Sequence, residues 1–155
     1  MIIGLVRRLI ASGPYYVRLN RRRITVRNIA TGAQFECTAC LSINDSKTIV
    51  SVGEPISPNA TSTIWPFKHP RILIEDFTAA EKLIRHALRQ LTKARIIQPS
   101  PIVIVHPDLD LEGGITQIES RALMEIAEAC GARKVHVHYG RQLTDQEVQN
   151  VAVGA

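Results

Sequence analysis

The amino-acid sequence predicts an α/β domain whose elements follow the order β-β-β-α-β-α-β-α around a mixed five-stranded sheet. Up to residue 52, β-branched and aromatic side chains are interspersed with Arg and Asn, which is typical of strands. After residue 76, apolar residues recur at helical spacing, in stretches separated by short continuous apolar runs. Three antiparallel strands followed by right-handed helix–strand crossovers account for this change of period.

The first three predicted strands cover residues 15–19, 23–29 and 34–43 and form an antiparallel meander. Three consecutive arginines at 21–23 lie at the tip of the first hairpin, and Thr31-Gly32 marks the second turn. Charges at such a tip discourage edge-to-edge association of sheets. The three arginines are also a candidate binding site for phosphate groups.

The chain then loses its regular period. A short apolar run at 48–52 is followed by the stretch 53–70, which contains one glycine and four prolines. We therefore expect an irregular insertion over about residues 44–74. It lies within a single domain spanning 14–155, and residues 1–13 form a separate N-terminal segment.

The first helix is predicted to start near residue 77, where Thr78 and Glu81 have the spacing of a capping box. The continuous apolar run at 102–105 predicts a strand that is covered on both faces. The predicted inner face of the first helix consists of Phe77, Ala80, Leu83, Ile84, Ala87, Leu88 and Leu91.

Thr116 and Glu119 form a second capping-box pattern, and Gly131 is a natural stop for the helix that follows. After a fifth strand at 134–139, Thr144 opens a last short helix with the same spacing. The predicted inner face of the second helix consists of Ile118, Ala122, Leu123, Ile126, Ala127 and Cys130. This order of elements is that of a ribonuclease-H-like domain, the unit that actin-like ATPases contain twice.

Composition excludes several classes of protein. The 155 residues are 45% hydrophobic and 21% charged, which fits one globular domain and is too apolar for disorder. No apolar run approaches the roughly 20 residues of a membrane span. Three cysteines are an odd number, which argues against a secreted disulfide scaffold and for a reducing, cytoplasmic compartment.

The N-terminal segment is basic and amphipathic. The net charge is +5, and seven arginines precede the first acidic residue, Glu36. On a helix, Arg7 and Arg8 lie opposite one broad apolar arc, which favours binding to an anionic membrane surface. A helix packed on the domain's own core and a transit peptide are the alternatives. The arc consists of Ile2, Ile3, Leu5, Val6, Leu9 and Ile10.

Two further patterns contain residues that can bind metal ions or take part in redox chemistry. His136 and His138 share a face of the fifth strand, beside His106 at the end of the fourth, so a metal site with the acidic loop at 108–112 is conceivable. A solvated acidic loop beside partly exposed histidines is the simpler interpretation, and we expect no bound metal. The spacing Cys37-Thr38-Ala39-Cys40 lies on a strand, where positions three apart face opposite sides, so we expect core cysteines.

Five segments, in order, resemble the first half of MreB, the bacterial actin homologue. The resemblance covers roughly residues 15–150 and implies one half of an actin-like ATPase fold and a role in cell shape. The matching segments are 65–68 and 74–81 (R-P-M-x-D-G-V-I-A-D-F leading to T-x-x-E), 102–107 (V-V-I-G-V-P), 115–122 (I-T-x-V-E-R-R-A) and 131–135 (G-A-x-K-V).

The resemblance also implies a place on the membrane. MreB proteins can bind the inner face of the membrane through an amphipathic N-terminal helix and an apolar pair before the strand at 102–107. Ile96 and Ile97 stand at that position, beside Lys93 and Arg95. We therefore expect a cytoplasmic protein that is peripheral to the inner face of the membrane. A buried loop anchor is the alternative for this isoleucine pair.

Two departures from the family pattern argue against ATP hydrolysis. The family's D-x-G-T phosphate turn is replaced by Arg18-Leu19-Asn20-Arg21, which has neither carboxylate nor glycine. The family's I-E-E-P is replaced by His138-Tyr139-Gly140-Arg141. The matched segments also belong only to the first of the two halves that enclose a nucleotide. We expect no catalytic residues and no cofactor.

The sequence therefore predicts a non-catalytic, MreB-like interaction module. Its expected partners are an anionic membrane surface and either a full-length MreB-type filament or a second copy of itself. His136, His138, Tyr139 and Arg141, beside the position of the missing cleft, are the candidate partner-binding residues. One component of a split ATP-binding protein and a basic nucleic-acid-binding module using residues 18–27 are the alternatives.

Overall fold

The structure is a computed structural model that describes residues 13–92 and 100–154. It contains two sheets and three helices in these ranges. In chain order the strands are β1 (Tyr15–Leu19), β2 (Arg23–Asn28), β3 (Gln34–Thr38), β4 (Leu41–Ile43), β5 (Ile49–Val52), β6 (Ser62–Ile64), β7 (Ile102–Pro107) and β8 (Lys134–Val137), and the helices are α1 (Phe77–Thr92), α2 (Gln117–Ala129) and α3 (Asp145–Val153).

The main sheet is mixed and five-stranded, as predicted, with the spatial order β3-β2-β1-β7-β8. The strands β1, β2 and β3 pair antiparallel, whereas β7 and β8 add in parallel to β1. Val17 of the central strand pairs with Val26 on one side and Val105 on the other, and all three are fully buried. This arrangement places the carboxyl ends of β1, β7 and β8 along one edge, called here the carboxyl edge.

The two faces of the sheet are covered unequally. Helices α1 and α2 pack together over one face, where Val103 and Val105 point into the large core. Helix α3 packs on the opposite face, where Ile104 joins Tyr16, Val148 and Ala152 in a smaller core. Because β7 is buried on both sides, its sequence is continuously apolar rather than alternating.

The predicted third strand at 34–43 is wrong as a single element, because the chain bends within it. Strand β3 ends at Thr38, and the backbone N–H of Cys40 donates back to the Thr38 carbonyl at 2.9 Å. Strand β4 then starts a second, three-stranded sheet with the order β5-β4-β6. The stretch expected to be irregular therefore contains two strands that pair with β4.

Gly53 is required where the two sheets meet. Its φ is +83°, and a Cβ atom there would lie 2.9 Å from Cys37 Sγ, so any other residue would be both strained and in collision. Tight contact between β3 and the end of β5 thus depends on a position that has no side chain.

The starts of the helices were predicted with mixed success. The boxes of Thr116 with Glu119 and of Thr144 with Glu147 are both present, and each threonine accepts a backbone N–H. The box expected at Thr78 is wrong. The Asp76 carboxylate instead accepts the N–H of Ala79 at 2.8 Å, because α1 begins at Phe77, two residues earlier than that box requires.

The predicted inner face of α2 is correct except at its first turn. Leu123, Ile126 and Ala127 are buried, whereas Ile118 is 82% exposed. Phe77, predicted on the inner face of α1, is 43% exposed. Both residues lie in the first turns of their helices, before the buried residues of each helix begin. Within the described ranges, no helix is long and apolar enough to cross a membrane.

Candidate functional site

Ligands of open α/β sheets usually bind beyond the carboxyl ends of the parallel strands. Three connections meet at that edge in this protein: the β1–β2 turn, the loop 108–114 after β7 and the loop 138–144 after β8. Polar side chains on all three are available for binding only where they are not already paired within the protein.

The β1–β2 turn is closed by its own asparagine. Asn20 Oδ1 accepts the backbone N–H groups of both Arg22 and Arg23 at 2.9 Å, and the Asn20 N–H donates to the Arg23 carbonyl. Free N–H groups in a turn are what usually hold a phosphate. Here the Asn20 side-chain oxygen accepts both N–H groups, so neither of them is free to bind an anion.

An ion pair joins the ends of β1 and β7. Arg18 donates to the Asp108 carboxylate at 2.6 Å, and both side chains are partly exposed. A pair this accessible to water contributes about 0–1 kcal/mol to stability. Its main consequence is positional, because it holds the start of the loop 108–114 against the first strand.

His106 fastens the loop after β8 to the sheet. Its Nε2–H donates to the Gly140 carbonyl at 2.9 Å, and its Nδ1 accepts the Tyr16 hydroxyl at 2.6 Å. The Leu143 N–H donates in turn to the Tyr16 oxygen at 3.1 Å. Because a carbonyl can only accept, the proton of the neutral ring must be on Nε2.

This network fixes the charge state of the ring. Burial lowers the pKa of His106 below its ordinary value and outweighs the bond to Gly140, which raises the pKa. The side chain is fully buried, so a protonated ring would be both desolvated and short of an acceptor. His106 therefore acts as a neutral structural link.

Of the three histidines that the sequence predicted to be neighbours, His106 and His138 are in ring contact. The ring centroids of His106 and His138 are 4.9 Å apart, and His138 Nε2 contacts the Arg141 carbonyl at 2.7 Å. The ring of His136 has a buried Nε2 with no partner, and burial lowers the pKa of His136. Among residues 13–92 and 100–154, no group of three or more His, Cys, Asp or Glu side chains is arranged to hold a metal ion.

The other two candidate partner-binding residues are engaged within the protein. The Tyr139 hydroxyl donates to the Leu109 carbonyl at 3.1 Å and accepts the Leu111 N–H. Arg141 binds both carboxylate oxygens of Glu147, and this pairing lowers the pKa of Glu147 to about 2. Three of the four candidates, His138, Tyr139 and Arg141, brace the loops of the carboxyl edge, whereas His136 lies within β8.

The arginine-rich hairpin is partly neutralised. Arg23 pairs with Glu36, Arg27 with Asp145 and Arg18 with Asp108. Such cross-strand pairing is unlike a continuous basic stripe for a nucleic acid. The free cysteines Cys37, Cys40 and Cys130 are at least partly buried; burial raises the pKa of Cys37 and Cys130 to about 11, so these two thiols stay protonated.

A groove that the sequence did not predict lies beside this edge. It has a volume of about 840 Å³ and is bordered by the segment 70–77 and the first turns of α2. Ile72, Phe77 and Ile118, three exposed large apolar side chains, line it. One feature of the sequence indicates this groove. Ile118 is the second residue of a capped helix, and this position precedes the buried part of α2. We call this feature the α1/α2 groove.

The predicted membrane-binding residues lie outside the described residues. Ile2, Ile3, Leu5, Val6, Arg7, Arg8, Leu9 and Ile10 precede residue 13, and Ile96 with Ile97 falls between residues 92 and 100. The two segments connect to the described structure at neighbouring positions. Tyr15 pairs with Val103 in parallel register, so Gly13 and Pro101 both lie at the amino edge of the sheet, opposite the carboxyl edge.

Comparison with known proteins places the chain among bacterial actin homologues. The model of the MreB/Mbl protein family matches residues 44–154, which is more than half of the chain. The cell shape-determining protein MreB of Pasteurella multocida is 32% identical over 97 residues, covering 59% of this chain and 26% of its own length. MreB of Escherichia coli is 35% identical over 79 residues, 51% of this chain and 21% of its own length.

Solved structures agree on the fold. MreB5 of Spiroplasma citri bound to ADP superposes with a TM-score of 0.60 at 16% identity, over 83% of this chain and 39% of that chain. Its complex with AMPPNP gives a TM-score of 0.62, over 81% and 38%. The protein thus has an actin-like, ribonuclease-H-like fold, and it spans about a fifth to a quarter of the length of the curated relatives it matches.

Proposed function

The chain belongs to the MreB/Mbl family, and from that premise we propose that it is a non-catalytic cell-shape module at the inner face of the membrane. In this proposal it binds anionic lipid and a full-length MreB-type filament or a second copy of itself. The observation that carries the non-catalytic part is the Asn20 turn, in which a side chain occupies the amides that a phosphate would need.

Two features support the loss of ATPase activity. The turn after Arg18 consists of Leu19, Asn20, Arg21 and Arg22, so it offers no carboxylate to organise a metal ion and water. The family match starts at residue 44, so the first hairpin lies outside the part of the sequence that the family model matches.

Calorimetric titration of the full chain with Mg²⁺-ATP tests this part of the proposal. We expect no binding at micromolar affinity, because the turn has no free N–H pair for the phosphates. MreB from Escherichia coli serves as the positive control. Micromolar binding of ATP by this chain would contradict the proposal.

The second candidate is one component of a split ATP-binding protein, and the nucleotides in the two MreB5 structures favour it. It differs from the main proposal because a second polypeptide would restore ATP binding. ATP binding that appears only when a second polypeptide is mixed in would support the split protein.

Topology supports the membrane part of the proposal. Both apolar segments named above leave the described structure at the amino edge, from neighbouring strands, and can therefore reach one surface. Arg89 in the last turn of α1 and Arg133 before β8 are exposed at the same edge. Basic side chains beside an apolar segment strengthen binding to anionic lipid.

Flotation with anionic vesicles tests this part. We expect that replacing Leu5 and Leu9 by glutamine weakens vesicle binding at least about a hundredfold, because two apolar side chains no longer enter the lipid. The matched control places glutamine at Gly4 and Ala11, on the polar side of the same predicted helix, and should float like the unmodified chain. Equal flotation of both variants would refute the membrane claim.

A further inference from the structure

The α1/α2 groove has the character of a docking site for a basic, amphipathic segment. Its apolar border includes Ile118, which is 82% exposed, together with Ile72 and Phe77. A contiguous apolar surface on a soluble domain usually marks an interaction site.

The charges around the groove are acidic although the whole chain is basic. Glu75 and Glu112 are exposed on its rim, and Glu119 adds a third carboxylate beside a single guanidinium, that of Arg71. Burial alone would raise the pKa of Glu119, but the N–H groups of Thr116 and Leu73 outweigh it and keep this carboxyl ionised. The groove therefore carries net negative charge in a protein of net charge +5.

The chain itself contains a segment with the complementary chemistry. Residues 2–10 combine an apolar arc with Arg7 and Arg8, and both properties match the groove. We propose that the N-terminal segment of one copy docks in the α1/α2 groove of a second copy, joining the molecules head to tail.

Geometry argues for a second copy rather than the same molecule. The segment joins the domain at Gly13, at the amino edge, whereas Pro70 at the border of the groove contacts Arg21 beyond the other end of β1. Eight residue steps of extended chain, about 26 Å, separate Gly13 from Arg21. In the helix that the sequence predicts for residues 2–10, only residues 11–13 are left as a linker, and three residues span about 10 Å.

Such a contact uses different surfaces on the two copies. It is heterologous, so a dimer keeps a free groove on one copy and a free segment on the other, and the association can continue. The apolar arc that enters the groove is also the one proposed to enter lipid. Docking and membrane binding of one segment therefore exclude each other.

Analytical ultracentrifugation of complementary variants of the full chain tests the proposal. Ile118→Glu damages the groove and leaves the segment intact, whereas R7E/R8E damages the segment and leaves the groove intact. The unmodified chain should associate in a concentration-dependent manner, and each variant should associate at least about tenfold more weakly. An equimolar mixture of the two variants should form a dimer and nothing larger, because one working groove meets one working segment.

Controls keep the outcome unambiguous. Ile56, which is 88% exposed and does not line the groove, provides the matched change Ile56→Glu, and this variant should behave like the unmodified chain. Circular dichroism verifies that Ile118→Glu is folded, as its exposure leads us to expect. A monomeric unmodified chain, undiminished association of either variant, or a mixture that stays monomeric would each overturn the proposal.

The test is independent of the membrane proposal. Ile118→Glu should float with anionic vesicles at least as strongly as the unmodified chain, since its N-terminal segment is unchanged and no groove competes for it. Loss of association together with normal flotation assigns Ile118 to the groove contact. Failure of flotation in the unmodified chain would refute only the membrane claim.

Discussion

Replacing Leu123 by alanine is expected to lower the free energy of unfolding by about 2–5 kcal/mol, whereas Ile118→Ala on the same helix should change it by less than about 0.5 kcal/mol. Leu123 is fully buried between α2 and the sheet, so truncation loses apolar contacts and leaves a cavity. Ile118 is already exposed and leaves no cavity.

Urea denaturation followed by circular dichroism measures both variants under the same conditions. Alanine has a higher helix propensity than leucine or isoleucine, so a loss of stability in either variant comes from lost packing rather than from helix propensity. The midpoint should shift strongly for Leu123→Ala alone, without a change in the slope m. Equal destabilisation by the two substitutions would mean that α2 is rotated relative to the orientation described here.

The second large effect expected is a loss of stability in mildly acidic solution. Burial lowers the pKa of both His106 and His136 in the folded protein, so the unfolded chain takes up protons first as the pH falls below about 6.5. The free energy of unfolding should therefore decrease below that pH, by up to about 1.4 kcal/mol per pH unit for each histidine.

Denaturation curves at pH 7.5, 6.5 and 5.5 measure this dependence. The interval lies above the range in which carboxyl groups such as those of Glu119 and Glu147 take up protons, so histidines dominate it. In His106→Gln, whose amide can donate or accept but cannot gain charge, about half of the slope should remain. A slope identical to that of the unmodified chain would contradict the role assigned to His106.

The network around His106 joins the loops of the carboxyl edge through side chains of the protein itself. Tyr16, His106 and Gly140 link three separate parts of the chain through two hydrogen bonds, and Arg18 with Asp108 adds an ion pair beside them.

Much of the architecture could be predicted from local patterns. The change from strand-like to helical period gave the order of the elements of the main sheet, and the two threonine capping boxes gave the starts of α2 and α3. Both kinds of signal depend on residues close together in the sequence. For that reason they survive without knowledge of the tertiary fold.

Two of the wrong predictions have one common cause. The division of residues 34–43 between two sheets depends on contacts of Ala39, Cys40 and Gly53 with distant parts of the chain, and no local periodicity reports such contacts. The exposure of Ile118 likewise depends on which elements lie beside the first turn of α2, and the local sequence does not show them. An apolar residue at helical spacing is buried only if another element is there to cover it.

The sequence by itself determined the order of the main elements, the resemblance to MreB, and the lack of a carboxylate and a glycine in the β1–β2 turn, because all three are properties of residue type and spacing. Only the tertiary structure decided that Asn20 closes that turn, that His106 is a buried link and that Ile72, Phe77 and Ile118 border one groove. These features join positions up to about a hundred residues apart, and it is the pairing of strands and the packing of helices that bring them together.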